Sequence, residues 1–600
     1  MLVNIYILKK YNQMATSKKN LTQSIVIANN DIVYLWWTFP KKIANCLGFT
    51  IHRIVDGIEE TKGLYATVGF SLKDDPRKSP QTTDEWPIQS YNWKDLYAPH
   101  NKKVAYRIIP MIAKNNDWMN LTADKKQSIK TDSIIRTQNY GGLKIIFNRG
   151  LLSTQAFARK DNANLDEKDL IKGTKGLISK PGNIWRKRLA GQMLYNINEF
   201  FKQKGKFYCA LYELSDTELI GILEKSKGAE IILSSSDSNE ESRKILHDAM
   251  DKGKLNVYDR IMSSNSIGHN KFVVLVDNKG KPKSVLTGST NWTSTGLCGQ
   301  TNNLVIIDNE DVAKLFLNYW HKLYEDTTDD GAALQDKTLR KWCRDNGTDF
   351  SINKSTDLGV WFSPNTDKKT KPKNITAAAI PVDLKEVFDL IKAAKKQILY
   401  LLFNPGSPSI IDHVLDAAQN AKSKGKPIFV RGAVSDAQMA KKVTTNIISK
   451  DATLPPDKYQ VTGVAAIPGS FSYWEKELLK LGFATIHDKV LVIDPFDAKN
   501  CVVVTGSHNL GLKASYSNDE NMILIKGDNP IAKAYSAHIL DVVNHFKWRY
   551  KLQERLKGKK GKALEESLTN SWHDLDESDK WMDYYYKSNG DQKREQLFFK

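Results

Sequence analysis

Cysteine is scarce in this 600-residue chain. The five present, Cys46, Cys209, Cys298, Cys343 and Cys501, are odd in number, widely spaced and never arranged as C-x-x-C. That excludes a disulfide framework and a zinc ribbon, and predicts reduced thiols in a cytoplasmic protein. Apolar runs are short as well. None reaches the roughly 18 residues a transmembrane helix needs. The opening MLVNIYILKKYNQMATSKKN has no small-residue cleavage site after its brief apolar stretch, which argues against a signal peptide. Met14 is the expected start, with residues 1–21 disordered or wrongly assigned. No Asp/Glu/His cluster with metal-ligand spacing accompanies the motifs below, so neither a metal nor a cofactor is expected.

Hydrophobic residues make up 41% and charged residues 26%, values of an ordinary globular protein that exclude a wholly disordered or fibrous chain. At roughly 100–200 residues per domain the length implies about three or four. The net charge of +20 favours anionic partners: nucleic acid, an anionic membrane surface or phosphate-bearing substrates. It is unevenly spread. Residues 1–200 hold 31 Lys and Arg against 17 Asp and Glu, a surplus of 14 that leaves only 6 for the rest.

Residues 22–130 predict an all-β sandwich: IVYLWWTF, CLGFTIHRI, LYATVGF and VAYRIIPMI are β-branched or aromatic runs between turn-rich segments. By pattern this part resembles a fibronectin type III-like module. Residues 131–205 read as a basic connecting region, with an amphipathic helix over 185–201. From 206 strands and helices alternate (FYCALYEL, DTELIGILEKSK, AEIILSSS, NEESRKILHDAMDKG), and the alternation restarts near 383 with LKEVFDLIKAAKK and QILYLLF. That implies α/β layers. The boundaries are a first lobe at 206–325, a linker at 326–380, a second lobe at 381–548 and a charged tail at 549–600, whose aromatic KWMDYYY and LFF groups are expected to dock as a tail helix.

An internal repeat at an offset of 218 residues carries the chemistry. His269 matches His487, Lys271 matches Lys489, Gly288 matches Gly506, Ser289 matches Ser507, Asn291 matches Asn509 and Asn303 matches Asn521, without a gap. H-x-K alone means little: His100 and His545 begin the same tripeptide, but Met119 and Leu564 stand where Gly-Ser should follow. In a strand, His and Lys two apart share a face. Glycine at the end of the next strand would let backbone approach a ligand closely. Ser, Thr and Asn would then open a short helix whose free N–H groups suit a phosphate. Each copy therefore offers half an anion site: an imidazole, an ammonium, a hydroxyl and an amide. Two facing histidines fit phosphodiester cleavage, one attacking phosphorus and the other protonating the leaving oxygen. Lys271, Lys489, Asn291 and Asn509 would stabilise the phosphoryl oxygens.

Both copies resemble the H-x-K-x4-D…G-S-x-N motif of the phospholipase D superfamily, over about 206–548. The resemblance implies two tandem α/β/α lobes, metal-independent phosphoryl transfer through a phosphohistidine and a site at the lobe interface. It also implies an orienting carboxylate for a catalytic histidine, matched by Glu520; its counterpart eleven residues after Asn291 is Asn302, so the two histidines should be inequivalent. Otherwise Glu520 is a strand-edge surface residue. Family precedent often makes the first histidine the nucleophile; local chemistry leaves this open. Asp494 keeps the motif's spacing, whereas Asp277 comes one residue late, and either could simply end its strand. The expected activity is a phosphodiesterase acting on nucleic acid. The alternatives are a phospholipase D working on lipid head groups at an anionic membrane, and a catalytically weak nucleic-acid-binding protein.

Overall fold

The computed structural model describes residues 23–66, 68–70, 81–150, 176–406, 409–435, 461–463, 485–556 and 575–586. The expected irregular start at 1–21, most of the tail and the final LFF group lie outside these. The chain forms two units: Met1–Ala28, Ile32–Thr137 and Lys559–Lys600 in the first, Asn29–Asp31 and Gln138–Gly558 in the second.

The first unit is built from antiparallel strands. Gln23–Ala28, Val33–Thr38 and Asn92–Asp95 make one sheet, and Lys103–Lys114 pairs with Cys46–Val55, Asp117–Ala123 and two short strands in another. Alternate residues of these strands, among them Leu35, Trp37, Phe49, Ile51, Tyr106 and Ile108, share one core. The aromatic tail docks here: Met582 is fully buried in that core, and Trp581 sits edge-on to Phe49 and donates to the Cys46 carbonyl at 2.9 Å. The docked segment is a 3-10 turn, Asp579–Met582, followed by the helical turn Asp583–Tyr586, rather than a long helix.

The second unit holds two eight-stranded sheets with the same strand order. In the first, Asn139–Tyr140, Leu143–Phe147, Asn303–Ile307, Pro282–Gly288, Lys271–Val276, Lys206–Leu211, Glu230–Ser234 and Asn256–Arg260 lie side by side. In the second the sequence is Thr348–Ser351, Asp357–Ser363, Glu520–Lys526, Val502–Gly506, Lys489–Ile493, Gln397–Leu402, Phe429–Val434 and Val461–Gly463. Only the last three strands of each run parallel. Every residue of Lys271–Val276, Lys489–Ile493 and Gln397–Leu402 is buried, as central strands covered on both faces require. The covering helices follow from apolar spacing and caps. Asn309 accepts from Asp311 N and Val312 N to start Glu310–Glu325, which buries Val312, Ala313, Phe316, Tyr319, Trp320 and Leu323.

Two connectors of the sequence reading belong to the lobes instead. Residues 139–147 form the edge hairpin of the first sheet, and residues 348–363 form the matching hairpin of the second, Leu358 opposite Ile525. The outer strand of each hairpin is short and polar, Asn139–Tyr140 and Thr348–Ser351, so the apolar signal is diluted. The helix expected over 185–201 is two, Ile184–Ala190 and Gln192–Phe201, because Gly191 takes φ +56° between them. Trp185, Leu189, Met193, Ile197 and Phe200 pack into the first lobe's core.

Candidate active site

The two lobes meet through reciprocal pairings. Gln300–Thr301 of the first lobe pairs with Thr485–Ile486 of the second, and Gly268 pairs with Asp519. Asn303 Nδ2 donates to Thr505 Oγ1 at 2.7 Å; in return Thr287 Oγ1 donates to Asn521 Oδ1 at 2.7 Å. Arg260 adds a buried ion pair to Asp519, at 2.6 Å. These contacts place the residue after each pairing beside the other lobe's histidine.

The result is a crossed pair. His269 Nδ1 lies 2.7 Å from Glu520 Oε2, and His487 Nδ1 lies 2.9 Å from Asn302 Oδ1. Each histidine stands two residues before the lysine that opens its central strand, rather than inside the strand. Both are 3% exposed. Lys271 Nζ and Lys489 Nζ each donate to the carbonyl of their own histidine at 2.6 Å.

Asn302 fixes a tautomer. Its Nδ2 donates to Gly296 O at 2.8 Å, so Oδ1 is the atom turned to His487. Ser289 Oγ accepts from Asn303 N at 3.0 Å and donates to the same Oδ1 at 2.9 Å. An amide oxygen only accepts, so His487 Nδ1 carries a proton and Nε2 is the atom left to exchange one. Glu520, fully buried and also accepting from Asn518 Nδ2 at 3.0 Å, imposes the same orientation on His269. It is not a surface residue.

His269, His487, Asn291 and Asn509 line one cavity of about 740 Å³. Lys271, Lys489, Ser289, Ser507 and Glu520 lie behind them, each 2% exposed or less. The serine hydroxyls expected around an anion are held by the scaffold instead, Ser507 Oγ by Asn521 N at 2.9 Å. The glycines differ from expectation too. Gly288 and Gly506 have φ +143° and +132°, and a Cβ would sit 2.4 Å from Asn303 O and 2.5 Å from Asn521 O. They allow close approach to a neighbouring strand, not to a ligand. Asp494 accepts from Lys395 N, Lys396 N and Gln397 N at 2.7–2.8 Å, and Asp277 from Lys279 N and Lys281 N at 2.9 Å. Both brace turns. Of the other two H-x-K histidines, His100 pairs with Arg136 in the first unit and His545 lies in the helix Asn529–Leu556.

Burial dominates the electrostatics. It pushes the His269 imidazole down to about 4 against the pull of Glu520, and pushes Lys271 down to about 7. His487 and Lys489 fall well below their usual ranges, from burial first and then from neighbouring cations. Burial raises Glu520, but the His269 charge beside it wins and holds the carboxyl below its usual value. A bound anion would reverse the cation shifts by supplying the missing negative charge.

Sequence reasoning missed two aromatic walls. Tyr212 and Phe403 follow equivalent strands, and their ring centroids lie 4.9 and 4.7 Å from the rings of His269 and His487. Lys271 Nζ and Lys489 Nζ each sit 5.1 Å from the same rings. The signal was a second repeat at another offset: 60 residues separate Leu211 from Lys271, but 87 separate Leu402 from Lys489.

Among the described residues no group of three or more His, Cys, Asp and Glu could hold a metal ion, and no helix is long and apolar enough to cross a membrane. A family model described as cardiolipin synthase, PLD-like domain, matches residues 199–324 and 387–542. Among solved structures the chain is similar to phosphatidylserine synthase of Haemophilus influenzae Rd KW20, at 12% identity and TM-score 0.39 over 61% of this chain and 90% of that one. It is similar to yeast tyrosyl-DNA phosphodiesterase at 9% identity and TM-score 0.30 over 54% and 82%. Nuc of Salmonella typhimurium, a phospholipase D family member, aligns at 18% identity and TM-score 0.19 over 22% and 86%. No curated protein matches the sequence.

Proposed function

We propose that this chain, which belongs to the phospholipase D superfamily, is a metal-independent phosphodiesterase that cleaves nucleic acid through a phosphohistidine. The observation that carries the chemistry is the crossed pairing of His269 with Glu520 and of His487 with Asn302.

The partners divide the labour. Attack by His269 Nε2 on phosphorus forms a P–N bond and leaves positive charge on the imidazole, which the Glu520 carboxylate stabilises for the life of the intermediate. As the P–O bond to the leaving group breaks, His487 Nε2 gives its proton to the departing oxygen. Asn302 offers no charge to hold that proton back, and burial weakens the hold of His487 on it, while the negative charge of a bound phosphate favours the protonated form before transfer. In the second step His487 Nε2 takes a proton from water, the water oxygen attacks phosphorus, and the P–N bond breaks to restore His269. Lys271 and Lys489 supply positive charge from behind, the electrostatic work a metal does elsewhere.

The cleft accepts one phosphate, and no residue described there selects a nucleobase. The preference for nucleic acid rests on the basic surplus of residues 101–200, 19 Lys and Arg against 8 Asp and Glu, which a polyanion meets with release of many counterions. The description of the matched family model makes phospholipid the second reading. The deciding experiment offers single- and double-stranded DNA and RNA beside phosphatidylcholine and phosphatidylglycerol vesicles, at low and moderate salt. Cleavage of nucleic acid that weakens steeply with salt is expected. Head-group release with every nucleic acid intact would establish the lipid reading instead.

A further inference from the structure

The cleft has unlike walls. Lys206–Leu211 and Gln397–Leu402 hold the same place in their sheets, and the residues leaving them hold matching stations: Tyr212 and Phe403 against the histidines, then Glu213 in one lobe and Asn404 in the other. Glu213 and Asn404 both line the cavity. A carboxylate in a phosphate cleft opposes binding of the anion unless a donor or a positive charge comes between them.

Glu213 also changes what Asn291 can do. The Asn291 Nδ2 that was expected to face a phosphoryl oxygen donates to Glu213 Oε2. Asn291 is 5% exposed, and its Oδ1 is buried without a partner. Two acceptors, a carboxylate and an amide oxygen, thus stand together on the first-lobe wall. Asn509 Oδ1 is also without a partner, but its lobe carries Asn404 in place of the carboxylate. On that side the wall includes Lys513. An unmet buried acceptor is costly, and a donor from the substrate removes the cost.

We propose that Glu213 and the Asn291 Oδ1 form a subsite for a hydrogen-bond-donating arm of the substrate, an ammonium or a hydroxyl, next to the phosphate. Glu213 is then the specificity-determining residue that sets which way round the phosphodiester lies. This rests on the phosphodiester reading of the cleft, and its test is separable from that reading.

Titration calorimetry on the full chain compares phosphoethanolamine and 2-hydroxyethyl phosphate with propyl phosphate, which has the same length and no donor. The wild type should bind at least one of the donor-bearing ligands about tenfold more tightly than propyl phosphate, the size expected of a hydrogen bond to a charged acceptor. The two donor ligands distinguish an ammonium subsite from a hydroxyl one. In Glu213→Gln and in Glu213→Asn, the residue its counterpart carries, the preference should fall to about threefold or less. Equal binding of all three ligands by the wild type, or a preference that survives both substitutions, overturns the proposal. Turnover of bis(p-nitrophenyl) phosphate by the wild type tests the phosphodiesterase reading by itself. Its absence, with the Glu213-dependent preference intact, would end that reading and leave the subsite standing.

Discussion

Glu520 Oε2 reaches 2.7 Å from His269 Nδ1, although 251 residues separate the two and they belong to different lobes. The reciprocal contact, Asn302 to His487, is neutral. An otherwise twofold arrangement is therefore electrically one-sided at the point where protons and phosphorus would be handled.

Removing either histidine should cost about a hundredfold or more in turnover, the usual loss for a nucleophile or general acid. The two variants should differ with leaving group. His487→Ala should recover much of its rate on a p-nitrophenyl diester, whose leaving oxygen needs no proton, whereas His269→Ala should not. Equal sensitivity of both variants to the leaving group would reject the assigned roles, and full activity in either would reject the shared site.

Asn302→Asp tests the acid directly. His487 must be protonated to act, so the rate falls as pH rises through its pKa. A carboxylate at 302 favours the imidazolium and raises that pKa, so the falling limb should move about one unit or more toward high pH. A pH–rate profile of kcat/KM in both proteins reads the shift. A profile that does not move would show that Asn302 does not act through His487.

Anion binding should take up protons. Lys271 stands at about 7 because burial outweighs the nearby carboxylates. Near pH 7 it is about half protonated, and a bound anion would complete the charge. Sulfate does not titrate in this range, so calorimetry with sulfate in Tris and in HEPES should give heats that differ by the proton uptake. Identical heats in the two buffers would count against a depressed lysine.

Activity should survive EDTA, because Lys271 and Lys489, once a bound phosphate favours their protonation, supply the charge a metal would bring. Loss on chelation, restored by a divalent ion, would place the chemistry elsewhere.

The repeat made much of the site legible. His269, Lys271, Asn291 and their counterparts fall into one spacing, and His-x-Lys before an apolar run has few other uses at that distance from Gly-Ser-x-Asn. What spacing did not carry was direction. Glu520 was legible as a carboxylate for a histidine, but not as one that crosses to the other lobe, because lobe pairing is a tertiary fact. The serines and glycines had the right positions and a different use: the strand following each copy approaches so closely that Gly288 and Ser289, and likewise Gly506 and Ser507, are absorbed in backbone contacts. The edge hairpins at 139–147 and 348–363 were hidden because the outer strand of each, Asn139–Tyr140 and Thr348–Ser351, is short and polar, so the apolar inner strand looks isolated until its partner is known.

The reciprocal pairing of Gln300–Thr301 with Thr485–Ile486 has a historical consequence. Two sheets of identical strand order, joined by exchanged contacts, have the form of a self-complementary dimer whose protomers became one polypeptide. While such protomers are separate copies, every substitution appears on both sides of the axis at once. Fusion ends that constraint. Position 302 could become an amide while 520 kept a carboxylate, and the second half could lengthen between its strands, with each change tested by selection on one side alone.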